Sequence, residues 1–186
     1  MIVVAIIGVL ASVAIPTFNN FVMRSKSSEA FSNIGAIYKL TAAYYESPRA
    51  MQGVTGPGGE HCIVQSDSQD DEIVPNFAFG PPTAQKRTVD FSTSPRFVAI
   101  GFTSDDPLYY TYVHATGSTG PGTCNAPPGP YHVYQLAAIG DLDGDGRPSG
   151  QSMFVGIDAQ GNMFHGPGFF EQEVGNMALG MPFESE

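Results

Sequence analysis

Three aspartates alternate with small residues in the stretch Gly140-Asp141-Leu142-Asp143-Gly144-Asp145-Gly146-Arg147. Hard oxygen donors at every second position of a tight turn can converge on one centre, which is how the first half of an EF-hand-like calcium loop is written. Gly146 permits the sharp bend such a loop needs. Arg147 would add its backbone carbonyl and Ser149 a direct or water-mediated oxygen. The candidate set for a structural Ca2+ is therefore Asp141, Asp143, Asp145, Arg147 and Ser149, with Asp158 a further carboxylate in the next turn. The twelfth position is Ser152 where an EF-hand has a bidentate glutamate, and the flanks read as strands, so reduced affinity is expected. A second reading stays open, because Asp-Gly-Asp-Gly is also a favoured turn between strands.

Other reactive residue types do not gather. His61, His114, His132 and His165 are scattered without HxH or HxxxH spacing, and each reads as a surface or strand residue. There is no GxSxG elbow and neither cysteine has a neighbouring base, so no enzyme is expected. Asp105-Asp106, Asp70-Asp71-Glu72 and the basic pair Lys86-Arg87 read as solvated loop charges. Only eight Lys and Arg residues stand against a net charge of -10, which disfavours nucleic acid as a partner. Cys62 and Cys124 lack metal-type spacing. If the chain is exported, they are expected to form a disulfide stabilising the fold by about 4 kcal/mol in the chain-entropy treatment. Two buried thiols are the alternative.

The elements that must carry these residues divide the chain in three. Residues 1–23 hold no charge, and those from Ile2 to Ile15 are almost wholly apolar, approaching the ~20 residues that span a bilayer. A signal peptide would place a basic region first, whereas this chain begins inside the apolar run. Over residues 24–48 the pattern becomes amphipathic. Phe21, Phe31, Ile34, Tyr38, Thr41 and Tyr45 mark one helical face, while Arg24, Lys26, Ser27, Ser28, Glu29, Asn33 and Lys39 supply the polar side. Pro48 ends the helix, and Pro16 is expected to kink or loosen it. Its aromatics, Phe18 and Tyr44 among them, read as packing groups more readily than as an electron-conducting stack.

This N-terminal stretch, MIVVAIIGVLASVAIP followed by Phe18, Phe21, Arg24 and RSKSSEA, resembles the helix of type IV pilins and pseudopilins, closest in pattern to type IVa major pilins. Gly8 and Pro16 stand at that family's helix-loosening positions. The resemblance covers about a quarter of the chain. It implies insertion in the bacterial inner membrane, cleavage by a prepilin peptidase, handling by pilus assembly machinery, and packing of the helix into the core of a helical homopolymer at the cell surface. The residues it would bury there are Ile2, Val3, Val4, Ile6, Ile7, Gly8, Leu10, Val13, Ile15, Pro16, Phe18 and Phe21. In that family the mature chain begins a few residues earlier, with an N-methylated residue and a glutamate two positions before the counterpart of Met1. Neither stands in this sequence.

Residues 49–186 read as a β-rich head. An irregular connection over 51–94 is expected, then strands at 96–102, 108–115, 131–139 and 152–157 and a shorter fifth at 162–165. The fold class is α+β, a long helix packed on an antiparallel sheet, in agreement with what the resemblance implies. The function expected is a structural subunit of a type IV pilus-like filament. A secretion-type pseudopilin, or a membrane-anchored module binding through calcium, are the alternatives.

Overall fold

A single helix, α1, takes Ile2–Glu46 in the computed structural model, which describes residues 2–47, 61–64, 73–75, 82–116, 124 and 128–173. The helix continues through Pro16, so the loosening expected between Gly8 and Pro16 does not interrupt it. Proline removes one backbone donor there. Nearby hydroxyls fold back onto the helix, Ser12 donating to the Val9 carbonyl at 2.7 Å and Thr17 to that of Val13 at 2.8 Å.

Among the described residues six antiparallel strands form one sheet: β1 (Ile73–Val74), β2 (Thr111–Thr116), β3 (Tyr131–Gly140), β4 (Ser149–Ile157), β5 (Met163–His165) and β6 (Phe170–Glu173). Their order is β1-β2-β3-β4-β5, and β6 pairs with β4 beside β5, so two short strands share one edge of β4. Between β3 and β4 the acidic stretch makes the tight connection, Gly140 pairing with Ser149.

One expected strand is a helix. Residues 95–100 form α2 (Pro95–Ile100). The apolar run of Phe97, Val98 and Ile100 looks strand-like, but Pro95 at the first turn fixes a helical φ, and Gly101 at φ 73° ends the helix left-handed. Phe102 donates its N–H to the Phe97 carbonyl and Gly101 to that of Val98, the two bonds of a Schellman stop. Within the expected 108–115 strand, Leu108 makes only an isolated bridge to Arg87, and β2 begins at Thr111. Much of the expected connection over 51–94 lies outside the described residues. Its described part contains β1 and a 3-10 turn, Phe91–Thr93.

The helical face that packs on the sheet is Ala30, Ile34, Ile37, Thr41 and Tyr45. Ile34, Thr41 and Tyr45 were expected, whereas Phe31 and Tyr38 stand at its margin and Phe21 is exposed. Phe31 meets Phe169 and Tyr38 meets His165 edge-on, so these large rings close the sides of the seam. Small Ala30 occupies its floor. Across the seam stand Tyr112, His114, Tyr134, Leu136, Met153, Val155 and Ile157. The opposite sheet face carries a second buried cluster, Ile73, Val113, Ala137 and Ile139. With apolar groups buried on both faces, β2 and β3 have no reason to alternate cleanly.

Candidate functional site

The first half of α1 has no cover. Ile2, Val3, Val4, Ile6, Ile7, Leu10, Val13, Ile15, Phe18 and Phe21 are each between 54% and 79% exposed, on every side of the helix, with Gly8 and Pro16 exposed among them. An apolar surface of this extent is far beyond the isolated patches of an ordinary soluble surface. By length and composition the helix suffices to cross a membrane: its most apolar 18-residue window has mean hydropathy 2.2 and none of it is buried.

Where α1 meets the head, polar residues fasten it. Glu29 accepts the backbone N–H of Tyr109 at 2.9 Å and the Tyr112 hydroxyl at 3.4 Å, and Asn33 donates to that hydroxyl at 2.6 Å. Burial pushes the Tyr112 phenol well above its ordinary value, so it stays a donor at physiological pH. Lys86 lies 3.7 Å from Glu29, and its ammonium stands 5.1 Å from the centre of the Tyr109 ring. Arg87 donates to the Thr111 hydroxyl, and burial lowers its pKa. Lys86 is an exposed loop charge as expected, whereas Arg87 is half-buried. No local sequence signal marks this cluster, because its partners stand about 80 positions apart along the chain.

At the turn between β3 and β4, the structure brings Asp141, Asp143 and Asp145 together, one carboxylate oxygen of each lying within 4.8 Å of the others. Asp141 is buried. Its two oxygens accept the N–H groups of Gly144 at 2.8 Å and Gly146 at 3.1 Å, both glycines having positive φ. Asp145 accepts the Arg147 N–H at 2.8 Å, and Asp143 that of Asp145 at 3.4 Å. Ser149 is taken into the strand ladder opposite Gly140 and Glu173. Asp158 lies at the far end of β4, roughly 25 Å away at strand rise, where it accepts N–H groups from Gln160 and Asn162. It therefore takes no part in this turn.

Cys62 and Cys124 form a disulfide. The histidines stay apart, but His114 is no surface residue: it is fully buried on β2.

A long helix, half seated on an antiparallel sheet and half bare and apolar, defines an α+β protein of the pilin-like architecture. The N-terminal segment is 53% identical over 45 residues to the type IV major pilin protein PilA of Myxococcus xanthus, a stretch amounting to 24% of this chain and 20% of that one. It is 47% identical over 45 residues to the fimbrial protein EcpC of Eikenella corrodens, covering 24% of this chain and 29% of the relative. The chain thus matches less than a third of the length of either relative. No family model matches, and no solved structure does. Over this segment the helix is similar to those of a type IV major pilin and a fimbrial protein.

Proposed function

We propose that this chain is the structural subunit of a type IV pilus-like extracellular filament, polymerising with copies of itself through α1. The observation that carries the reading is the uncovered apolar half of that helix. About 20 apolar residues exposed on all sides require lipid or other helices around them. Before assembly the segment sits in the inner membrane, where a prepilin peptidase and the assembly machinery act on the precursor. In the filament, copies of the same helix replace lipid, and side-chain packing holds them together. Electron microscopy of material sheared from expressing cells tests this. Filaments are expected from the wild type and none from Leu10→Asp, whose buried charge would find no partner in the core. Only single membrane-anchored chains in the wild type would overturn the reading.

A second role belongs to the acidic turn, which we propose holds a structural Ca2+ through Asp141, Asp143 and Asp145, with the Arg147 carbonyl as a further ligand. Convergence of three carboxylates within 4.8 Å supports it, since such groups repel one another unless a cation or solvent screens them. Binding at a hundredfold excess over Kd would stabilise the fold by about 2.7 kcal/mol. Thermal melting of the full chain in detergent is expected to shift upward with calcium, little with magnesium, and not at all in Asp143→Ala. Unchanged wild-type melting at millimolar calcium would leave the turn a turn.

A further inference from the structure

Between the middle of α1 and the base of the head runs a groove of about 720 Å³, well inside the range of ~300–1,000 Å³ typical of small-molecule clefts. Its lining changes character along the helix. Phe18, Phe21 and Val22 make the lower wall, and Lys26 stands above them, facing Lys86 and Tyr109 of the head. The ammonium groups of Lys26 and Lys86 lie 4.9 Å and 5.1 Å from the centre of the same Tyr109 ring, so one aromatic ring engages both cations.

The carboxylates nearby do not neutralise them equally. Glu29 pairs with Lys86 and accepts the Tyr109 N–H, so its charge is already engaged. Asp106 lines the groove but is exposed, and among the described residues no carboxylate lies within bonding distance of Lys26. The Lys26 ammonium is left above the apolar end of the trough, Phe18, Phe21 and Val22, while Ser25, Ser28, Ser32 and Asn33 also line it.

Height along the helix says what meets this trough. Residues 2–23 rise about 33 Å at 1.5 Å each, close to the ~30 Å of a bilayer's hydrocarbon core. Lys26 then stands about one turn higher, in the headgroup layer, where interfacial aromatics such as Tyr109 also settle. An anionic head at Lys26 above an acyl chain along Phe18, Phe21 and Val22 matches that order.

We propose that the groove holds one anionic membrane phospholipid, its phosphate on Lys26 and Lys86 and an acyl chain along Phe18, Phe21 and Val22. The inference rests on the membrane-held precursor proposed above. An apolar helix from a second copy would fill the trough yet bring no anion to Lys26, leaving that charge covered and unpaired.

Native mass spectrometry of the full chain, inserted in phosphatidylcholine nanodiscs containing a minor share of phosphatidylglycerol and then released into mild detergent, tests this. One phosphatidylglycerol per chain is expected to survive release. Lys26→Gln with Lys86→Gln should retain roughly tenfold less, as loss of charge-assisted contacts demands, with the far-UV circular dichroism unchanged. Lys39→Gln, an exposed position elsewhere on α1, should retain it fully. Four outcomes overturn the proposal: equal retention of phosphatidylcholine, no retained lipid on an inserted chain, a second copy of the chain in the lipid's place, or displacement by soluble glycerol phosphate. A chain that does not enter nanodiscs at all fails the membrane reading itself.

Discussion

His114 is enclosed by three elements, and its hydrogen bonds fix its proton. Thr41 on α1 donates its hydroxyl to the Ile37 carbonyl, so at 3.2 Å from the ring it can only accept, which puts the histidine proton on Nε2. Nδ1 has no hydrogen-bond partner among the described residues. Burial first, and the Arg96 guanidinium of α2 second, depress the imidazole to about 3, while Tyr134 of β3 packs against the ring as a neutral neighbour. The unfolded chain takes up this proton near the ordinary value of 6.5. Stability contributed by a neutral His114 is therefore complete above pH 6.5 and falls as pH drops from there toward 3. The slope expected is at most about 1.4 kcal/mol per pH unit. Urea unfolding at several pH values in that window should show it, and His114→Gln should flatten it. At this scale the sequence was legible where residue types cluster along the chain, as in the alternating aspartates, and silent where neighbours come from afar. Nothing local marks His114 as buried, or Lys86 as the partner of Glu29.

Elements were read well where side-chain period and turn signals agree. β3 and β4 follow their aromatic and β-branched runs, and the acidic turn lies between them as expected. α2 was missed because Phe97, Val98 and Ile100 favour a strand by composition, while the deciding residues, Pro95 and Gly101, sit at its ends. Gly101→Ala tests that account. The added methyl meets open space, so the cost is backbone strain at φ 73° alone, and a loss of about 1 kcal/mol is expected from urea titration. A negligible change would mean that the stop of α2 is set by packing instead. On the face of α1, Ile34, Thr41 and Tyr45 were placed as found, but Phe31 and Tyr38 each stood one residue off, for a related reason. Large rings at Phe31 and Tyr38 draw attention by size, yet the closest approach to the sheet needs a small side chain, and Ala30 supplies it.

Across the whole molecule the disulfide joins two segments 62 positions apart. Removing it with Cys62→Ser and Cys124→Ser together should cost about 4 kcal/mol, visible as a lower urea midpoint, because the unfolded chain regains the freedom of that loop. An unchanged midpoint would show that the rest of the head fixes this geometry unaided. The seam between α1 and the sheet spans further still: Tyr45 on the helix donates to the Gly161 carbonyl, 116 positions away. Contacts of such long range form slowly, since loop closure must precede any gain from burial. The helical stripe is made early in synthesis, yet its cover, β3 and β4, is made more than a third of the chain later. During that interval Ile34, Ile37 and Tyr45 remain bare on a strongly apolar helix, a condition that promotes aggregation in free solution. In the membrane-held precursor proposed above, time, more than strength, is then the quantity that a bilayer would supply to this chain, by keeping each helix apart from its siblings until its own sheet arrives.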